Sequence, residues 1–140
     1  MNEVKGREMH IGLLEDDIAI QEMLRLVLQD EGHTATIYPN AEACLNALFA
    51  AVQEQSVIPI DLLIVDWRLS GSAPGTEVIR QLRNNPSFEA LPIILTTAAA
   101  FTNTAELQNL NISLLEKPFA VDEVVELINK LVRPGTKMDC

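Results

Sequence analysis

Asp66 directly follows the run Leu62-Leu63-Ile64-Val65, and its carboxylate is the natural starting point for any chemistry in this chain. Three other apolar runs end in polar groups. Ile11-Gly12-Leu13-Leu14 leads into Glu15-Asp16-Asp17, Ile93-Ile94-Leu95-Thr96 into Thr97, and Ile112-Ser113-Leu114-Leu115 into Glu116-Lys117-Pro118. Short apolar runs rich in β-branched residues predict strands buried on both faces. In an open parallel α/β sheet, ligands bind just beyond the carboxyl ends of the strands. Carboxylates, a hydroxyl and an ammonium would then meet on one edge of one sheet. Crowding Glu15, Asp16 and Asp66 there has a cost: two carboxylates about 5 Å apart repel by roughly 3 kcal/mol at an effective dielectric of about 20. A divalent cation relieves it.

Taken singly, each residue has a plain alternative. Asp17 fits a helix cap better than a ligand, Thr97 an ordinary strand position, Lys117 an ordinary surface lysine, and Asp66 a loop cap. What sets them apart is their joint occurrence at four strand ends. His10 and His33 are isolated and carry no catalytic expectation, and Trp67 is expected beside the site rather than in it.

The elements that would position these groups alternate along the chain. Residues 1–8 read as a loose arm, 9–132 as one domain and 133–140 as a tail. Strand one is expected over His10–Leu14. Asp17 then caps a helix with a stripe of Ile20, Leu24, Val27 and Leu28, and Gly32 makes the turn after it. Thr34–Tyr38 reads as strand two, Ala41–Gln53 as helix two, Ile60–Val65 as strand three and Thr76–Asn84 as a helix with Val78, Ile79 and Leu82 inward. Leu91-Pro92 opens strand four, Ala98–Asn103 is a loop of small residues, Thr104–Asn109 is at best a short helix four, and Ile112–Leu115 is strand five. The last helix, Val121–Leu131, carries Val121, Val124, Val125, Ile128, Leu131 and Val132 on one face. Five strand–helix alternations predict an α/β doubly wound parallel sheet with right-handed crossovers.

Composition narrows the function classes. The chain has 140 residues, 48% of them hydrophobic, enough for one domain with a sizeable core. Ten Lys and Arg against 20 Asp and Glu give a net charge of −10, which argues against a nucleic-acid surface. No apolar run reaches the roughly 18 residues of a membrane span, and Met1–Met9 lacks a signal-peptide apolar segment. Cys44 and Cys140 have no metal-ligand spacing, and no disulfide framework is expected, so a cytoplasmic setting is the simplest.

The four pieces Leu13-Leu14-Glu15-Asp16-Asp17, Leu62-Leu63-Ile64-Val65-Asp66-Trp67, Leu91-Pro92-Ile93-Ile94-Leu95-Thr96-Thr97-Ala98 and Lys117-Pro118-Phe119, in that order, resemble the receiver domain of two-component response regulators. The resemblance covers about Met9–Leu131. It implies a flavodoxin-like (βα)5 fold with sheet order 2-1-3-4-5, a Mg²⁺ site, and Asp66 as acceptor of a phosphoryl group from a sensor histidine kinase or a phosphotransfer protein. Asp16 and Asp66 are then metal ligands together with the backbone carbonyl of Arg68, and Glu15 holds a metal-bound water. Hard oxygen ligands with room for water suit Mg²⁺. Lys117 pairs with a phosphoryl oxygen, while the Thr97 hydroxyl and the Ala98 N–H bond others. The Lys117-Pro118 peptide is cis in the family. Phosphorylation is read out on the face of helix four, strand five and helix five, where an unknown downstream protein or a homodimer partner docks. The domain is a switch rather than an enzyme. With eight residues left after Val132, the chain reads either as a stand-alone receiver or as a piece of something longer.

Several positions depart from the family pattern. Ser70 stands where a proline is usual. Gly75 falls one residue late, so Ser70–Pro74 holds an insertion in the loop that shapes access to Asp66. Leu114 occupies the place of the switch aromatic, for which Phe101 is either a substitute or a plain packing residue. The stretch between Thr97 and Lys117 is about two residues shorter than usual. Arg68, two residues beyond Asp66, has two roles open to it: shielding the acyl phosphate or pairing with Glu15. These departures motivate an alternative of another class, a receiver-like interaction module that is never phosphorylated. A haloacid-dehalogenase-like hydrolase would need an acidic residue where Arg68 stands, and no G-x-G-x-x-G or G-x-x-x-x-G-K-[ST] supports nucleotide binding.

Overall fold

The computed structural model describes residues 8–69, 74–97 and 110–132. The expected Ser70–Pro74 loop therefore lies mostly outside the described residues. So do the Ala98–Asn103 loop, Phe101, the short helix at Thr104–Asn109, most of the N-terminal arm and the 133–140 tail.

Five strands form one parallel sheet: β1 (His10–Leu14), β2 (Thr34–Ile37), β3 (Leu62–Asp66), β4 (Ile93–Thr97) and β5 (Ser113–Glu116), in the order β2-β1-β3-β4-β5. Among the described residues the helices are α1 (Ile18–Asp30), α2 (Ala41–Gln53), α3 (Gly75–Arg83) and the last helix, Val121–Val132, with a 3-10 turn at Pro86–Phe88. This is the flavodoxin-like, doubly wound arrangement.

β1, β3 and β4 are buried along most or all of their length because helices cover both faces. Alternation divides their side chains. Ile11, Leu13, Leu62, Ile64, Ile94 and Leu115 pack with Leu24 and Leu28 of α1 and with Val124 and Ile128 of the last helix. Leu14, Leu63, Val65, Ile93 and Leu95 pack with Cys44 and Leu48 of α2 and with Val78, Ile79 and Leu82 of α3. Register is rigid under these conditions, since a one-residue slip would exchange the two cores. The Asp17 carboxylate accepts from Ile20 N at 3.2 Å and caps α1. Asn40 caps α2, its side chain accepting from Ala43 N at 2.8 Å. Gly32 turns the chain at φ +89°, a conformation costly to any residue with a Cβ.

Some boundaries differ from the sequence reading. β3 runs to Asp66 rather than ending at Val65, because Asp66 pairs in register with Thr96. Ile60 stays buried but outside the ladder. β4 likewise extends to Thr97 and β5 to Glu116, which are partners across the sheet edge. Val121 was expected on the inward stripe of the last helix; it is 46% exposed, because it sits at the first helical position, where the chain has not yet come down onto the sheet. The inward face is built from Val124 and Ile128, with Leu127 and Leu131 packed partly against the core.

Candidate functional site

The alternation that builds the core also builds the site. Glu15 follows Leu13 by two residues, Asp66 follows Ile64, Thr96 follows Ile94 and Lys117 follows Leu115. All four therefore continue the face covered by α1 and the last helix, at its C-terminal edge.

Glu15 and Asp66 are both buried, at 3% and 6% exposure. Lys117 Nζ stands 3.2 Å from Asp66 Oδ1 and 3.4 Å from Glu15 Oε1. One ammonium thus serves two carboxylates. The lysine is held there by its backbone: Lys117 N donates to Thr97 O at 2.7 Å, and the Lys117-Pro118 bond is cis, as the resemblance implied. Glu15 is held in turn by the Asp17 N–H, which donates to its Oε2 at 3.0 Å, while Gln21 Nε2 donates to the Glu15 carbonyl at 2.5 Å. Burial, opposed by the Asp17 N–H and supplemented by the nearby Asp66 charge, pushes the Glu15 carboxyl above its ordinary range.

The chain leaves Asp66 along a fixed path. Trp67 N donates to Thr96 O at 2.8 Å, and Gly75 N donates to Trp67 O at 2.8 Å. Gly75 is the first residue of α3, and a Cβ there would lie 2.3 Å from the Asp66 carbonyl oxygen. A glycine is required because the helix starts directly against the end of β3. The sequence reading took Gly75 as a displaced loop glycine and did not find this contact.

Of the predicted residues, Glu15, Asp66 and Lys117 are in direct contact. Asp16 is half-buried beside Glu15. Thr97 is 3% exposed at the same sheet edge, in register with Glu116, and supplies the carbonyl that holds Lys117. The Arg68 side chain is exposed. Thr96 was missed. Its Oγ1 donates to Asp66 Oδ1 at 3.5 Å, and the available signal was a polar residue inside an apolar run, which reads at first as a strand β-branched residue.

Two carboxylates share one cation here, with Asp16 and Asp17 adjacent in the chain, so the site keeps an excess of negative charge that suits a divalent ion. Among the described residues no three His, Cys, Asp or Glu side chains stand close enough to cage a metal. Mg²⁺ is ordinarily held by one or two carboxylates with several waters rather than by an all-protein cage, so this donor set fits it. No helix among the described residues is long and apolar enough to cross a membrane.

The response regulator receiver domain family matches residues 11–129. The phosphate regulon transcriptional regulatory protein PhoB of Rhizobium meliloti (strain 1021) is 32% identical over 126 residues, which cover 88% of this chain and 52% of that protein. An uncharacterized 14.6 kDa protein of Leptolyngbya boryana is 30% identical, covering 88% of this chain and 89% of that one. The chain thus spans about half of the first relative and most of the second. Among solved structures, a response regulator receiver protein from Pseudomonas putida matches with a TM-score of 0.71 at 25% identity, covering 90% of this chain and 99% of that chain. Chemotaxis response regulator CheY4 of Vibrio cholerae matches with a TM-score of 0.73, covering 89% and 99%; at 19% identity it speaks to the fold alone. With this family spanning all five strands and the carboxylate–lysine cluster at the sheet edge, the chain belongs to the response regulator receiver domains.

Proposed function

We propose that Asp66 is the phosphoacceptor of a two-component system, taking a phosphoryl group from a sensor histidine kinase or a phosphotransfer protein with the help of Mg²⁺. The observation that carries this reading is the Lys117 ammonium, shared at 3.2 and 3.4 Å between the buried carboxylates of Asp66 and Glu15. The Asp66 carboxylate attacks phosphorus as a nucleophile. Asp16, Asp66 and the Arg68 carbonyl would hold the metal, with Glu15 acting through a water. When bound, Mg²⁺ would neutralise charge on the transferring phosphoryl group. Lys117 would exchange its carboxylate contacts for a phosphoryl oxygen, and Thr97 would donate its hydroxyl to another.

The signal would then leave along the connection after Thr97 toward β5 and the last helix, switching the face that the family uses for partners or a homodimer. Leu114 of β5, where the family carries its switch aromatic, is 44% exposed on that side and available to a downstream protein. A cytoplasmic setting belongs to the same proposal.

Trp67 is the sole tryptophan and adjoins Asp66, so its fluorescence tests the reading. Mg²⁺ should change the emission, and beryllofluoride with Mg²⁺ should change it further. Folded protein silent to both additions would support the never-phosphorylated interaction module instead.

A further inference from the structure

Thr96 is 1% exposed near the C-terminal end of β4, on the face that Ile94 continues into the core. A hydroxyl in that position is costly unless it is bonded. Its partner is Asp66, its register mate across β3 and β4: Thr96 Oγ1 donates to Asp66 Oδ1 at 3.5 Å. At 3.5 Å the contact is longer than an ordinary O–H···O bond and stands at the limit of hydrogen bonding. Lys117 Nζ meets the same oxygen, Oδ1, at 3.2 Å. Two donors, one from β4 and one just past β5, thus converge on one oxygen of the carboxylate.

We propose that the Thr96 hydroxyl is a positioning group for Asp66: it holds Oδ1, aims Oδ2 at phosphorus, and shortens the life of the aspartyl phosphate. The inference rests on the phosphoacceptor reading of Asp66. In phosphorylation the Oδ2–phosphorus bond forms and the donor's bond to phosphorus breaks, phosphorus–nitrogen in a phosphohistidine or phosphorus–oxygen in acetyl phosphate, its electron pair leaving with the donor. Oδ1 becomes the carbonyl oxygen of a mixed anhydride. In dephosphorylation water attacks phosphorus, the Oδ2–phosphorus bond breaks with its electron pair returning to the carboxylate, and inorganic phosphate leaves with both protons of the water. A hydrogen bond to Oδ1 is stronger when that oxygen shares a full negative charge than when it is a carbonyl. Thr96 therefore stabilises the departing carboxylate more than the acyl phosphate and speeds the return to the free state. Thr97 has a different task, since its hydroxyl would serve the phosphoryl group rather than the carboxylate.

The test labels full-length protein with radioactive acetyl phosphate and Mg²⁺, removes the donor, and follows decay of the label. Thr96→Val keeps the side chain's shape and removes the hydroxyl; it should lengthen the half-life by about threefold to tenfold, the effect of one hydrogen bond of ordinary net strength. Thr96→Ser should decay like wild type and Thr96→Ala like Thr96→Val. The Ser and Ala pair decides the matter should the Val variant fail to fold. Label on Thr96→Val or Thr96→Ala that decays at the wild-type rate would overturn the proposal. So would slow decay of Thr96→Ser, because packing rather than the hydroxyl would then be responsible. Wild-type protein that takes up no label at all would instead overturn the phosphoacceptor reading, and this inference with it.

Discussion

Glu15 is the residue in which the site's electrostatics are easiest to measure. Its carboxyl is held above the ordinary value of 4.5, chiefly by burial. The unfolded chain therefore ionises Glu15 at a lower pH than the folded one does. The folded state carries this cost at neutral pH and sheds it as the pH falls from the raised folded value toward 4.5; well below 4.5 Glu15 is protonated in both states. Glu15→Gln should raise the melting temperature of the metal-free protein near neutral pH, by about 2–4 °C for each kcal/mol removed in a chain of this size. The gain should fade at acid pH. Thermal melts at the two pH values check this, and an equal shift at both would contradict it. At this scale the sequence is informative through joint occurrence: Asp66, Glu15 and Lys117 each have a plain alternative alone, and standing together at strand ends is what makes them legible. Thr96 was not legible. A threonine inside a strand run is ordinary, and only the Asp66–Thr96 register shows what its hydroxyl meets.

At the scale of elements, caps and close approaches decide where strands and helices begin. Asn40 satisfies the Ala43 N–H at the start of α2, and Asn40→Ala should cost about 1 kcal/mol of stability by urea denaturation. Gly75→Ala should do more. Its Cβ would meet the Asp66 carbonyl oxygen at 2.3 Å, so α3 must back away from β3. An overpacking loss of about 1–3 kcal/mol is expected, accompanied by a changed Trp67 emission because Gly75 N also holds the Trp67 carbonyl. A Gly75→Ala protein with wild-type stability and emission would mean that the α3 start does not constrain Asp66. Helix two, Ala41–Gln53, is read from the sequence with the observed bounds because its Ala- and Leu-rich run holds no Gly or Pro; the Asn40 cap is seen only in the structure. β3 was read two residues early at its start and one early at its end. Ladder pairing to Thr96, rather than hydrophobicity, determines its last residue, and pairing cannot be read from one segment alone.

For the whole molecule, alternation predicted the doubly wound sheet and the resemblance supplied its order; both are observed. What a one-dimensional reading could not reach is the long-range tie made by Arg83. From the end of α3 its guanidinium donates to Phe88 O at 2.5 Å, Glu89 O at 3.2 Å, Leu110 O at 2.8 Å and Asn111 O at 2.9 Å. It thereby joins the 3-10 turn before β4 to the residues that lead into β5. Arg83→Met should destabilise by roughly 2–4 kcal/mol, since several carbonyls lose a charged donor. Arg83→Lys should not restore the loss, because an ammonium lacks the planar fork that reaches both segments. Urea titrations of the three proteins check this, and full recovery in the lysine variant would contradict it.

The central claim is that the sheet-edge cluster turns Asp66 into a phosphoacceptor. The most direct measurement is transfer of label from radioactive acetyl phosphate to wild type and to Asp66→Asn, with Mg²⁺ and with a chelator in its place. Wild type should take up acid-stable, base-labile label only when Mg²⁺ is present, and Asp66→Asn should take up none. Label retained on folded Asp66→Asn, or uptake by wild type that is indifferent to Mg²⁺, would contradict the account.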